Sequence, residues 1–141
     1  MMKVLVTGAT GFVGRQLINK LISLNNLEIH IISRKKKLEE LLDEKIIVHK
    51  LRDLLLKSEL EKLPKNIDIL IHLAGYAHDN INKKNNKKLF NFENFNFAIT
   101  KNLLKYSYMT NIKKFIFLST IKVNGENTSI DTSFKFNDKP N

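Results

Sequence analysis

Cysteine is absent from these 141 residues, which excludes disulfides and thiolate metal sites, and no metal is expected. Long hydrophobic runs are absent too. No apolar stretch approaches the ~18 residues of a membrane span, and mean hydropathy is −0.23. The opening Met1-Met2-Lys3 leads into Val4-Leu5-Val6, an apolar stretch too short for a signal peptide. A cytoplasmic protein with no membrane partner is the expectation. Arginine is scarce: Arg15, Arg34 and Arg52 are the only ones among 24 basic residues. The net charge of +10 is therefore carried by lysine, alongside 17 asparagines. Base-reading surfaces lean on arginine with interleaved aromatics. The basic runs here have neither, so no nucleic-acid partner is expected. Hydrophobic residues make up 43%, enough for the core of one domain over residues 1–141 and too short a chain for two.

Apolar strand-like runs alternate with amphipathic stretches, the pattern of β-α-β units. Strands are expected at Lys3–Thr7, Ile29–Ser33, Ile46–His49, Ile67–Leu73 and Lys114–Leu118. The fourth is unbroken except for Asp68 and His72, as suits a parallel strand covered on both faces. Val13, Leu17, Leu21 and Leu24 recur at helical spacing until Asn25-Asn26. Short helices are expected at Leu38–Asp43 and from Ser58 to Leu63 before Pro64, with a loop over Asn80–Lys88. A longer helix is expected over Phe92–Met109, its apolar residues spread widely enough for burial on two sides. These elements predict an α/β, doubly wound parallel sheet of order 3-2-1-4-5 with helices on both faces.

Glycine is the other scarce residue, and three of the five stand in Thr7-Gly8-Ala9-Thr10-Gly11-Phe12-Val13-Gly14, between the first strand and the first helix. Gly8 suits a tight turn, Gly11 a close approach of backbone to a pyrophosphate, and Gly14 close packing of helix on strand. The helix N-terminus offers N–H groups and a positive dipole end to phosphate. A Rossmann-type dinucleotide-binding domain follows.

The spacing Gly-x-x-Gly-x-x-Gly after Thr7 resembles that of extended short-chain dehydrogenases/reductases, the NAD(P)-dependent sugar-nucleotide epimerase/dehydratase family. Three later segments resemble the same family: His72-Leu73-Ala74-Gly75 with Tyr76-Ala77-His78; Asn96-Phe97-Ala98-Ile99-Thr100 followed by Asn102-Leu103-Leu104; and Phe115 to Glu126, which contains Ser119-Thr120. The resemblance runs from residue 3 to the end and corresponds to the family's N-terminal part. It implies that Gly8, Gly11, Phe12, Val13 and Gly14 bind the pyrophosphate. Asp53 and Leu54 would meet the adenine, with a solvated helix-start residue as the alternative for Asp53. Leu73, Ala74 and Gly75 would line the ribose side. Asn96 would brace the sheet end, where a buried backbone-capping Asn serves equally well. Ser119 would stand beside the nicotinamide. Thr120 would be the catalytic hydroxyl, with a turn-starting residue as the alternative. The implied partners are the dinucleotide, a nucleotide sugar once the rest of the family's chain is supplied, and a second copy in a homo-oligomer.

Two family features are absent. The second strand ends in Ser33, followed by Arg34 and Lys35-Lys36-Lys37, where NAD-binding chains carry a carboxylate for the ribose hydroxyls. Arg34 suits a 2′-phosphate, so NADP is slightly favoured over NAD; an NAD site beside a solvated lysine run is the alternative. The catalytic Tyr-x-x-x-Lys pair is also missing: Tyr76, Tyr106 and Tyr108 are followed four residues later by Asn80, Thr110 and Ile112. The sheet is expected to stop before a sixth strand. The expected function is the NAD(P)-binding part of a UDP-sugar epimerase/dehydratase or 4-keto-sugar reductase, inactive alone. A non-catalytic dinucleotide-binding module or gene remnant is the alternative.

Overall fold

Five parallel strands form one sheet in the order β3-β2-β1-β4-β5. The computed structural model describes residues 1–34, 43–75, 92–120, 124, 127–128, 131–135 and 137–139. The elements are β1 (Met2–Thr7), α1 (Phe12–Ile22), β2 (Leu27–Ser33), β3 (Ile46–Lys50), α2 (Lys57–Leu60), β4 (Ile69–His72), α3 (Phe92–Met109) and β5 (Lys114–Phe117). Most of the helix expected at 38–43, the loop expected at 80–88, Lys35 to Lys37, Tyr76 to His78, and most of residues 121–126 lie outside the described residues.

Period-two alternation divides the core between the two faces. Val4, Val6, Leu27, Ile29 and Ile31 turn toward α1, where they pack with Ala9 and Ile18. Leu5, Ile32 and Leu70 turn the other way, against Leu60 of α2, Leu63 just after it, and Ile99, Leu103 and Tyr106 of α3. The register Val4↔Ile29 and Val4↔Ile69 keeps each apolar set on its own side across β1, β2 and β4.

Two elements are shorter than their apolar patterns. The helical turn after β3 is α-helical only over Lys57–Leu60. Beyond it, Lys62 N–H bonds Glu59 O and Leu63 N–H bonds Leu60 O, the tighter i→i−3 pattern, before Pro64 ends the segment. β4 runs only over Ile69–His72, although Asp68 N–H to Lys3 O (2.9 Å) and Leu73 N–H to Thr7 O (3.2 Å) extend its pairing at both ends. α3 has the expected bounds, but it buries one face rather than two. Ile99, Leu103 and Tyr106 are buried, whereas Phe97, Leu104 and Tyr108 are 67%, 53% and 86% exposed. Among the described residues no element covers that second face, and β5 is an edge of the sheet. Among the described residues, no helix is long and apolar enough to cross a membrane.

Candidate functional site

The C-terminal ends of β1, β2, β3 and β4 open onto a cleft of about 470 Å³. Its first wall is the glycine loop. Gly8 sits at φ +73°, and a Cβ there would lie 2.7 Å from Ala74 N, so the loop rests directly on the β4 end. A Cβ at Gly14 would overlap Gly8 O and stand 2.8 Å from Ala9 Cα. That contact seats the first turn of α1 on the loop.

Gly11 caps α1 without a side-chain hydrogen bond, and the first turn holds no acidic residue. The helix ladder opens with Arg15 N–H to Gly11 O at 3.0 Å. Among the described residues, the N–H groups of Phe12, Val13 and Gly14 have no backbone acceptor. This leaves an array of donors at the positive end of an 11-residue helix, suited to an anion.

The opposite wall comes from the ends of β2 and β3. Leu51 N–H bonds Ser33 O at 3.2 Å and joins the two strand ends. Arg34, Arg52, Asp53, Leu54 and Leu55 follow, all lining the cleft. Three side-chain contacts hold this segment. Asp53 Oδ1 accepts Leu55 N–H (2.9 Å), and buried Glu59 accepts Arg52 N–H (2.7 Å) while pairing with Lys62. Asn102 of α3 donates its amide to Leu54 O (3.3 Å) and Leu55 O (3.1 Å). The Lys62 and Arg52 hydrogen bonds hold the Glu59 carboxyl below its ordinary pKa.

The floor, Ala74-Gly75, is tied down through His72, which is 1% exposed. Its partners assign its tautomer. Thr100 Oγ1 donates to Asn96 O (2.9 Å), so at 3.1 Å from His72 Nε2 it accepts the ring N–H. Nδ1 is then an acceptor and takes the Thr7 hydroxyl proton at 2.7 Å. Thr7 Oγ1 in turn accepts Ala74 N–H at 3.2 Å. One directed chain of hydrogen bonds thus runs from the cleft floor through β1 and β4 to α3. It requires a neutral imidazole, and burial pushes the His72 pKa down to about 4.

Of the residues singled out from sequence, Gly8, Ser33, Arg34, Asp53, Leu54, Ala74 and Gly75 line the cleft. Gly11, Phe12, Val13 and Gly14 form the adjoining loop and helix start, with Phe12 and Val13 exposed. The Leu73 side chain packs into the α1-side core, so only its backbone faces the loop. The Asn96 side chain stands next to Gly75. Ser119 and Thr120 are exposed beyond β5 and do not line the cleft. Thr10, Arg52, Leu55, Phe95 and Ile99 line it without having been singled out. Phe95 and Ile99 had a legible signal, an apolar i, i+4 pair on α3.

Residues 4–141 match the model of the NAD dependent epimerase/dehydratase family. The chain is 32% identical over 135 residues to a UDP-glucose 4-epimerase of Vibrio cholerae, covering 96% of this chain and 40% of that relative. It superposes with TM-score 0.77 on the crystal structure of a UDP-glucuronic acid 4-epimerase from Bacillus cereus, in complex with UDP-glucuronic acid and NAD, at 26% identity over 99% of this chain and 46% of the other. The fold also matches Gre2 of Candida albicans in complex with NADPH, with TM-score 0.69 and 23% identity over 87% of this chain and 38% of that one. The chain therefore belongs to the NAD-dependent epimerase/dehydratase family, and it spans less than half the length of these relatives.

Proposed function

We propose that this chain is the nicotinamide-dinucleotide-binding portion of an enzyme acting on nucleotide sugars, and that the 141 residues alone do not turn over such a substrate. The observation that carries the reading is the glycine loop packed on the β4 end. Backbone occupies the space a Cβ would need at Gly8 and Gly14, and the α1 N–H groups beside it are unpaired with backbone. Such a cradle fits a pyrophosphate. Phe12, Val13 and Gly14 would hold the phosphates, and Asp53 and Leu54 the adenine. Ala74 and Gly75, with Asn96 behind them, would support the ribose and nicotinamide side. When bound, the dinucleotide supplies a hydride donor or acceptor.

Cofactor preference rests on charge at the β2 end. Ser33 stands there with Arg34 next, and both line the cleft. A carboxylate at this place would repel a 2′-phosphate, whereas a guanidinium pairs with it. NADP over NAD is the reading. Thr120, beside Ser119 past β5, is proposed as the hydroxyl that meets the reacting sugar oxygen. Proton transfer to that oxygen would need a Tyr-x-x-x-Lys pair, which the sequence lacks. Loss of a general acid–base alone costs about 10²–10⁴ in rate. The test is calorimetry of the chain with NAD(H) and NADP(H), together with an assay for UDP-sugar epimerisation and 4-keto reduction. Binding of a dinucleotide without turnover is the expected result. Absence of dinucleotide binding would overturn the cofactor reading, and robust turnover the incompleteness reading.

A further inference from the structure

A second cavity, of about 490 Å³, lies between α2 and α3, within the roughly 300–1,000 Å³ of small-molecule sites. Leu55 is the only described residue that lines both this cavity and the cleft proposed for the dinucleotide. One wall comes from α2 and the segments flanking it, the other from α3. Leu60 and Leu63 line it from the first, Tyr106 and Met109 from the second. Polar atoms on these walls are bonded to backbone. Tyr106 OH donates to Pro64 O (2.5 Å), the Thr110 hydroxyl to Tyr106 O (2.8 Å), and the Asn102 amide to the Leu54 and Leu55 carbonyls. The alkyl and ring carbon that remain suit an apolar body.

Charge lies on the rim. Lys57 pairs with Glu61 at 3.6 Å, and Glu61 is the only carboxylate among the described lining residues. Lys65 on the first wall and Lys105 on the second also line the cavity. Both are exposed, and neither makes an ion pair with a described carboxylate. Three cations against one carboxylate leave the mouth net positive, with an ammonium on each side that no carboxylate answers. Lysine stems lie along apolar surface while their heads stay in water, so they can meet an anion at the mouth without being dehydrated.

We infer that this cavity is a second ligand site, for a small organic anion with an apolar body, of the medium-chain carboxylate class. The alkyl chain lies against Leu60, Leu63 and Tyr106, and the carboxylate sits at the mouth between Lys65 and Lys105. A nucleotide lacks the apolar body, and an alkylammonium carries the wrong sign. The site shares no proposed cofactor residue with the cleft, so it stands whether or not a dinucleotide binds there.

Calorimetry on the full chain, below micelle-forming concentrations, compares decanoate, octanoate and decyltrimethylammonium. Decanoate is expected to bind about tenfold more tightly than octanoate, from two further buried methylenes. Decyltrimethylammonium, of similar chain length and opposite charge, should bind about tenfold more weakly than decanoate. Lys65→Gln combined with Lys105→Gln should weaken decanoate about fivefold, the scale of two exposed ion pairs. Met109→Glu, at a position that is itself exposed, sets a carboxylate in the mouth and should weaken it at least as much. Far-UV circular dichroism verifies that each variant is folded. Absence of decanoate binding would overturn the site. Equal affinity for decanoate and octanoate would overturn the apolar body, and equal affinity for the alkylammonium the preference for an anion. Decanoate affinity unchanged in the double-lysine variant or in Met109→Glu would place the ligand elsewhere on the chain and overturn the assignment.

Discussion

Acidification from pH 7.5 to pH 5 is expected to destabilise the fold through His72. An unfolded histidine titrates near 6.5, whereas burial holds His72 at about 4 in the folded chain. The neutral ring is the folded form, because Nδ1 must accept from Thr7 and only Nε2 carries a proton. The stabilisation is therefore complete above the unfolded pKa and is lost as pH falls through 6.5 toward 4. At about 1.4 kcal/mol per pKa unit the ceiling is about 3 kcal/mol, and at pH 5 the loss is about 2 kcal/mol. The carboxylates Glu28, Glu59 and Asp68 are all held below ordinary values of 4.5, 4.5 and 3.8, so their losses fall at lower pH. His49 is lowered too, by burial and then by the His30 charge, and it contributes in the same direction. Urea denaturation of the wild type and His72→Gln at both pH values separates the histidines. The variant should be less stable at pH 7.5, yet should lose about 2 kcal/mol less on acidification. Imidazole NMR should show His72 as the Nε2–H tautomer, unprotonated at pH 5. Equal acid losses in the two proteins, or a His72 ring titrating near 6.5, would refute the directed hydrogen-bond chain.

Gly14→Ala places a Cβ against the Gly8 and Ala9 backbone; a cost of about 1–3 kcal/mol is expected, read as a lower Tm with loss of dinucleotide binding. Asn102→Leu removes both donors to the Leu54 and Leu55 carbonyls; 5′-AMP affinity should fall about fivefold, the worth of about 1 kcal/mol, and an unchanged calorimetric Kd would dismiss the role of α3 in holding that wall. Thr120→Val should leave dinucleotide affinity of this chain unaltered, since the residue lies outside the cleft. On its proposed role, it should impair UDP-sugar turnover in a mixture with a second polypeptide that carries a Tyr-x-x-x-Lys pair and a sugar site. The exposed Phe97, Leu104 and Tyr108 of α3 should drive self-association. Sedimentation velocity should show Leu104→Lys with Tyr108→Lys shifting the chain toward monomer, and a wild type that is already monodisperse and monomeric would contradict this.

The strand order was legible because buried parallel strands leave a plain trace. The apolar runs of β2 and β4 are broken only by single polar residues, His30 in one and Asp68 and His72 in the other, and the glycine loop marks which strand is central. Helix limits were less legible. Apolar residues continue past the end of α2 at Leu60, because Leu63 and Ile67 belong to the same core as the helix without being part of it. The Phe-rich pattern of α3 read as burial on two sides, since an apolar residue carries the same signal whether it is covered or exposed. Only the structure shows that Ile99 and Leu103 face the sheet while Phe97 and Leu104 do not.

The site divides along the same lines. The glycine motif is local in sequence, and its geometry follows from spacing. The network that positions the cleft floor is not local: Thr7 and His72 are 65 residues apart. The only sequence trace of their contact is a histidine interrupting an apolar run. Strand parity decides the rest. His72 points to the α3 side and Leu73 to the α1 side, so of two neighbours in one motif the first holds the floor by its side chain and the second meets the glycine loop only by backbone. The same parity gives the cleft a direction. Its lining comes from the ends of β1 to β4 and from α3, with nothing from β5. The groups suited to a nucleotide phosphate and its base are therefore assembled within these strand ends, while Ser119 and Thr120 face outward past β5. On the proposed roles, affinity for an adenosine half and contact with a sugar would draw on different strand ends, and substitutions at the two should separate.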